Sequence, residues 1–361
     1  MIYVATHHRV ENFGATLQAY GLQQYLETIG YENELILLKE DRIKKRHCVK
    51  KPHLLAYDSF QKVYKYLHKK EIRRGKRRFK DFCEKYHKTT REYVGVDDLL
   101  KNPPLGGIYL SGSDQVFNPL NNKPHFFLQF GPQEIRRISY AASVGVDKIP
   151  TSKEEEFRKN LGAFDHISIR EENSKELVEK FYGNNVDVNI DPSYLLDKEK
   201  WEEISDNSIA RTLKKPYILV YVIYKSKWLS PYLKRLRKET KCDIVLISYG
   251  SYIPVYHNHY VMDAGPKEFL GLVRNAKMVI SSSYHGNVFS TIFQKPFYAL
   301  VNPDAQSRIM SMLELFGLDD RILTKDTKVD FNLDYSQFEE RLIDEINRSK
   351  AYFKKALEGK K

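Results

Sequence analysis

The sequence predicts an α/β chain built as two facing Rossmann-like domains, with a C-terminal helix packing back across the cleft between them. Three observations predict it. At 361 residues the chain is long for a single core. Short apolar runs alternate with segments of helical spacing on both sides of a polar stretch near 202–214, which is the pattern of parallel, doubly wound sheets. The last stretch, FEERLIDEINRSKAYFKKALEGKK, reads as one charged helix. The expected boundaries are 1–205 for the N-terminal domain, with a basic helical insertion near 39–95, then 206–330 for the C-terminal domain and 331–361 for the helix.

Each element follows from its spacing. MIYVAT reads as a strand and NFGAT as a turn. ATLQAYGLQQYLETIG places Leu17, Tyr20, Leu22 and Leu26 close to helical spacing, with Gly30 as the stop. ENELILL is a second strand, and the basic stretch that follows reads as inserted helices. GGIYLSGSDQVF and RRISYAASVG are strands leading into loops, HISIREENSKELVEKFYG is strand, loop and helix, and DVNIDPSYLL is a short strand with a proline-marked turn. In the second half PYILVYVIY, CDIVLISYG and PFYALV are strands, WLSPYLKRLRKET and PKEFLGLVRNA are helices, and KMVISSSYHGNVFSTIFQ is strand, loop and helix.

Composition narrows the function classes. Apolar residues at 42% and aromatics at 13% exclude a disordered chain. No window approaches the roughly 20 apolar residues of a membrane span. The start, MIYVATHHRVENFG, lacks the apolar core and cleavage site of a secretion signal. Cys48, Cys83 and Cys242 have neither CxxC nor metal-ligand spacing, so no metal is expected. The expected place is the cytoplasm or the inner face of a membrane. The net charge of +12 is concentrated between Lys39 and Arg91, where basic residues outnumber acids roughly three to one. A solvated helical face, a contact with an anionic membrane surface, and nucleic-acid binding each fit such a run. No RNP motif, zinc finger or helix-turn-helix accompanies it, so a nucleic-acid partner is not expected.

Three sets of loops at strand ends carry candidate chemistry, the third a pair. Asn12 and Gly14 precede a helix N-terminus, whose free N–H groups can hold an anion; a plain cap and a plain turn are the alternatives. In SGSDQVFN, Ser113, Asp114 and Gln115 offer a hydroxyl, a carboxylate and an amide to sugar hydroxyls, and Asp114 is a candidate general base; an Asx turn is the alternative. In SIREENS, Arg170 follows a strand and can clasp a carboxylate or phosphate, unless it lies on an exposed helix face. SSSYHGN puts His285 and Gly286 at a strand-to-helix junction, a place where open α/β sheets bind ligands. A histidine satisfied within the core is the alternative. GxSxG, P-loop, HExxH and GxGxxG motifs are all absent.

Taken in order, ENFGATLQAYGLQQYLETIGYENELI, GSDQVFN, SYAASVG, SIREENS, IDPSYLLDKEKW and SSSYHGNVFSTIFQKPF resemble the polysaccharide pyruvyl transferase family over about residues 1–320. The resemblance implies a fold similar to glycosyltransferase-B, with the N-terminal domain on the acceptor side and the C-terminal domain on the donor side. It implies transfer of an enolpyruvyl-derived unit from phosphoenolpyruvate to a sugar as a pyruvate ketal, with phosphate released and no cofactor. The acceptor would be a surface polysaccharide or its lipid-linked repeat unit at the inner membrane face. By the resemblance Arg170 holds the donor's carboxylate or phosphate, and His285 lies against the phosphate and supplies a proton. Many members carry an arginine two residues before this histidine; here it is Ser283, and Arg308 is the expected replacement. A nucleotide-sugar glycosyltransferase of the same architecture and a non-catalytic adaptor in envelope assembly are the rival readings.

Overall fold

The computed structural model describes residues 1–39, 52–121, 123–223, 226–249, 252–301 and 307–358. The DRIKKRHCVKK part of the basic stretch and residues 302–306 lie outside them. The first half holds β1 (Ile2–Ala5), α1 (Phe13–Thr28), β2 (Asn33–Leu35), β3 (Leu38–Lys39), α2 (Pro52–Leu67), α3 (Lys69–Tyr86), β4 (Tyr93–Val94) and α4 (Gly95–Lys101). It continues with β5 (Ile108–Ser111), β6 (Arg136–Ser139), α5 (Glu154–Leu161), β7 (Ser168–Ile169), α6 (Lys175–Tyr182), β8 (Asp187–Val188) and α7 (Lys198–Ile204). The second half holds β9 (Tyr217–Tyr221), α8 (Leu229–Thr240), β10 (Asp243–Ile247), β11 (His259–Val261) and α9 (Pro266–Asn275). Then come β12 (Met278–Ser281), α10 (Tyr284–Ile292), β13 (Phe297–Ala299), α11 (Ser307–Phe316) and α12 (Ser336–Glu358).

Both sheets are parallel, as the alternation predicts. The first runs β2-β1-β5-β6 and reaches the β7–β8 pair through single parallel bridges, Ile138 to His166 and Ala142 to Ile169. The second runs β11-β10-β9-β12-β13. Strands such as YILVY and MVIS are apolar at nearly every position because helices cover both faces of the sheet, leaving no solvent side to mark with polar residues.

The order of each sheet says where a ligand belongs. In the first, the chain leaves β1 for β2 on one side and later returns to β5 on the other; in the second, β10 and β12 flank β9 in the same way. Ligands of open α/β sheets sit outside the carboxyl ends of the strands at such reversals. The loops after β1, β5 and β12 lie at these ends and are among those that the sequence singled out, the fourth being the SIREENS loop after β7.

The seam between the sheets is packed. Phe13, at the first turn of α1, stacks on Phe269 of α9 with ring centroids 4.7 Å apart and meets Tyr221 of β9 edge-on. Trp201 fits between Tyr20 and Phe289. One apolar cluster therefore runs from Ile2 and Leu17 of the first half to Leu219 and Val279 of the second. Each fully buried aromatic of this kind contributes about 2–3 kcal/mol. α12 spans the two halves: Phe338 packs on Phe316, while Phe353 stacks on Tyr140 and Arg136 donates to the carbonyl of Leu357 at 2.8 Å.

Two readings of local structure change. NFGAT is not a turn, because Asn12 accepts a hydrogen bond from the N–H of Ala15 and starts α1 at Phe13, placing Gly14 inside the first helical turn. The polar stretch near 202–214 contains the end of α7, whose Trp201 anchors it in the core.

Candidate active site

Five loops converge at the seam, and the carboxylate of Asp191 is the hub. It lies just after β8, fully buried, and its Oδ1 accepts from the backbone N–H of Ser193 at 3.0 Å. Its Oδ2 accepts from Arg170 Nη1 at 3.0 Å and from Ser113 Oγ at 3.2 Å. His285 Nε2 lies 3.3 Å from the same oxygen. A carboxylate so deep in the protein would ordinarily hold its proton. The opposing charges of His285 and Arg170, with the Ser193 N–H, outweigh that burial and keep its carboxyl far below the usual range.

Arg170 is buried and held from several sides. Its Nε donates to Glu171 at 2.9 Å, and its guanidinium lies 4.0 Å from the Tyr284 ring centroid. Burial alone would favour the neutral guanidine, but Glu171, Tyr284, Asp191 and Asp114 together hold it firmly charged. Nη2 of Arg170 and Oε2 of Glu171 are buried without hydrogen-bond partners. The expected free clasp for a donor anion is thus one nitrogen wide here, with the other two already engaged.

His285 stands in the first turn of α10, and Gly14 and Gly286 make its place possible. A Cβ at Gly14 would lie 2.2 Å from His285 Nδ1, so only glycine lets the first turn of α1 close on the ring. A Cβ at Gly286 would lie 2.1 Å from Ser281 Oγ. Ser283 is the N-terminal cap residue of α10, and its backbone N–H donates to Ser281 Oγ at 3.0 Å.

Asp114 stands at the rim of this cluster with a backbone φ of 73°, a left-handed conformation that an aspartate tolerates better than most residues. Its Oδ1 accepts from the N–H of Gln115 at 2.9 Å and lies 4.0 Å from Arg308 Nη1. Burial raises its carboxyl, and the charges of His285, Arg170, His7 and Arg308 more than offset this, holding it below the ordinary value. Gln115 turns away toward Gly145, whose Cβ position is 2.6 Å from its amide nitrogen. Arg308, at the start of α11, has its charge disfavoured by burial and by Arg170.

The structure therefore brings Ser113, Asp114, Arg170, Ser283, His285, Arg308 and Gly14 to one place. Asn12 is exposed and engaged as a helix cap. Asp191 and Glu171 are the members that sequence reasoning missed. The signals were an aspartate before proline at a strand end in IDPS, and an acid beside the arginine in SIRE.

Space is unevenly distributed. A cavity of about 20 Å³ lies against Arg170, Glu171, Tyr284 and Arg308, room for one water. On the other side of the β1–α1 loop is a cavity of about 400 Å³, lined by Thr6, His7, Arg9, Lys123, His125 and Phe126. A third, of about 410 Å³, lies between that loop and α3 and is lined by His8, Lys76, Cys83 and His87 among others. Burial pushes His8 down to about 4 and His87 down to about 3, so both rings are neutral; Cys83 is pushed up to about 11, also by burial. Among the described residues no group of three or more His, Cys, Asp or Glu side chains is arranged to hold a metal ion. No helix among them is long and apolar enough to cross a membrane.

A family model described as polysaccharide pyruvyl transferase matches residues 12–304. A search by sequence among curated proteins finds no match. Among solved structures, the UDP-GlcNAc 2-epimerase of Methanocaldococcus jannaschii is similar with a TM-score of 0.53 at 12% identity, over 96% of this chain and 91% of that one. The S. aureus MnaA–UDP structure gives 0.53 at 11%, over 96% and 90%. The UDP-N-acetylglucosamine 2-epimerase of Rickettsia bellii gives 0.50 at 10%, over 99% of each chain. At these identities the likeness is one of fold, the glycosyltransferase-B type that the sequence predicted.

Proposed function

The chain belongs to the polysaccharide pyruvyl transferase family, and from that premise we propose that it moves pyruvate from phosphoenolpyruvate onto a sugar as a cyclic ketal, releasing phosphate. The observation that carries this reading is the convergence of His285, Arg170 and Asp191 from three distant loops into one buried, charge-coupled group. Asp191 lies 3.3 Å from His285 Nε2, close enough to stabilise a charged imidazolium, and Nε2, which has no hydrogen-bond partner, delivers a proton to the methylene carbon of the donor. That proton leaves C2 of the donor electron-poor. A sugar hydroxyl attacks C2, its proton passes to Asp114, and the C–O bond to phosphate breaks. A second hydroxyl of the same sugar adds to C2 of the oxocarbenium ion so formed, and its proton passes to the imidazole of His285, which closes the ketal and restores the acid. Asp114 suits the role of acceptor because the cations around it keep it ionised at neutral pH.

The donor carries close to three negative charges, and Arg170, through its unpartnered Nη2, and Arg308 are the arginines nearest the hub. Because the cavity beside Arg170 is only about 20 Å³, donor entry requires α11 and Arg308 to withdraw and then close on the phosphate. In this reading the sugar acceptor occupies the cavity of about 400 Å³ lined by His7, whose charge acts on Asp114. Cationic side chains neutralise the leaving phosphate in this scheme.

The test is phosphate release from phosphoenolpyruvate over a panel of galactose-, glucose- and mannosamine-type acceptors. Wild type is compared with His285→Gln and Arg308→Ala, each checked for folding by circular dichroism. Acceptor-dependent release that falls at least about 100-fold in His285→Gln is expected. No binding of phosphoenolpyruvate by the folded wild type, with saturable binding of a nucleoside diphosphate sugar instead, would favour the glycosyltransferase reading.

A further inference from the structure

The helical hairpin α2–α3 has its polarity inverted. α2 buries Gln61, whose amide donates to the carbonyl of Tyr252 at 2.9 Å and accepts from the N–H of Tyr252 at 3.1 Å. Tyr64, one turn on, packs against Tyr252 and Tyr260. The opposite face shows Phe60, Val63, Tyr66 and Leu67, which are 49%, 58%, 76% and 70% exposed. At 100° per residue these four fall within an arc of about 120°. An amphipathic helix that served only to pack would turn that stripe inward.

Cations flank the stripe and continue from it. Lys62 and Lys65 lie beside it on α2, and Lys69, Lys70, Arg73 and Arg77 follow on α3, all exposed. None of the six is paired with a carboxylate among the described residues. The neighbouring cations that pack against the body are paired: Arg74 and Arg78 with Asp263, Arg78 also with Glu268, and Lys76 with Glu11. The hairpin thus neutralises its inner charges and, among the described residues, leaves its outer ones without a carboxylate, next to an apolar stripe whose Phe60 edge touches Tyr252 while Val63, Tyr66 and Leu67 face outward.

We propose that this face docks on an anionic lipid bilayer, with Phe60, Val63, Tyr66 and Leu67 entering the interfacial zone and the six cations meeting the headgroups. Charge decides between occupants. A second copy of the chain placed face to face would oppose the two sets of unpaired cations. A nucleic acid would satisfy the cations and leave the apolar stripe in water. An anionic bilayer satisfies both. Docking does not depend on the reaction the site performs, so its failure would leave the pyruvyl-transfer reading untouched.

The experiment is co-sedimentation of the full chain with phosphatidylcholine vesicles, with and without phosphatidylglycerol, across a salt series. Expected is binding only to the anionic vesicles, weakened by salt. Replacing Phe60, Val63, Tyr66 and Leu67 together by serine is expected to lower the partition by at least about tenfold. Phe60 gives up an edge-on contact with Tyr252 and the other three are exposed, so the fold should survive, which circular dichroism would confirm. Each cation changed to glutamine is expected to cost up to about fivefold at low salt. A tryptophan placed by Tyr66→Trp should shift to the blue when anionic vesicles are added. The proposal is overturned if wild type ignores anionic vesicles at low salt, or if the serine variant partitions like wild type. An unshifted Tyr66→Trp emission on bound vesicles would remove the inserted stripe. Binding to duplex DNA tighter than to vesicles, or loss of a dimer in the serine variant, would assign the face to those occupants instead.

Discussion

At the seam, Arg170, Glu171, Asp191 and His285 are each more than nine-tenths buried; Arg170 has both carboxylates within 3.0 Å, and His285 lies 3.3 Å from Asp191. Along α2–α3, six exposed cations have no carboxylate partner among the described residues. The same residue types obey different physics in the two places. In the seam, desolvation makes each charge depend on its neighbours, so the group exists only as a whole. On the hairpin, water and salt screen each charge, so the cations act independently and are free to serve a partner.

The largest effect expected from this contrast is at Asp191. Asp191→Ala leaves Arg170 buried with one carboxylate instead of two and leaves the Ser193 N–H without its acceptor. A loss of about 3–5 kcal/mol in urea unfolding is expected, with catalysis abolished. Asp191→Asn retains the shape and should lose less stability while still failing to stabilise a charged His285. A loss below about 1 kcal/mol in Asp191→Ala would break the comparison, since the seam's charges would then be as independent as the hairpin's.

His8 and His87 test the same point through pH. Their rings lie 6.0 Å apart against the cavity beside α3, and burial lowers both pKa values, to about 4 and about 3. A histidine with a folded pKa below its unfolded value of about 6.5 favours the neutral form in the native state. Its contribution is therefore fully present above pH 6.5 and is lost as pH falls toward the folded value. Roughly 3 kcal/mol is at stake for His8 and roughly 5 kcal/mol for His87, at about 1.36 kcal/mol per unit. Unfolding free energy measured from pH 7 down to 4 should fall, and His87→Asn should flatten that slope. A wild-type curve flat across this window would mean that water reaches the rings.

What could be read from the sequence, and what could not, divides along the same line. The strand–helix alternation, the C-terminal helix and the strand-end loops are local patterns, and they reappear in both parallel sheets. His285 and Gly286 stood out because a histidine and a glycine at a strand-to-helix junction are locally odd. Asp191 did not, since IDPS reads as an ordinary proline-marked turn. Its partners Ser113, Arg170 and His285 come from positions far apart in the chain and are joined only by the fold. The site's hub was thus the least legible part of it. The NFGAT segment was misread for a related reason: Gly14 looks like a turn residue, but its smallness answers to His285, 271 positions away. The inverted α2 was hidden too, since a helical stripe of Phe60, Val63 and Leu67 predicts burial until the clamp of Gln61 on Tyr252 turns the helix over.

The smallest effect is expected on the hairpin, and its sign is informative. Changing Lys62, Lys65, Arg73 and Arg77 to glutamine removes no ion pair among the described residues and exposes no apolar surface. It lowers the formal net charge from +12 to +8, four unit charges removed. Relief of self-repulsion should leave stability unchanged or raise it slightly, within about 0.5 kcal/mol per site, with the gain shrinking as salt rises. A thermal melt of the four-glutamine variant at low and high salt measures this. A loss above about 1 kcal/mol would show that these cations hold the protein together, so that the contrast with the seam fails and the hairpin's charge needs no outside partner. Unchanged stability would mean that the fold makes no use of four costly like charges held in one place, and the reason for them must lie in what the surface meets.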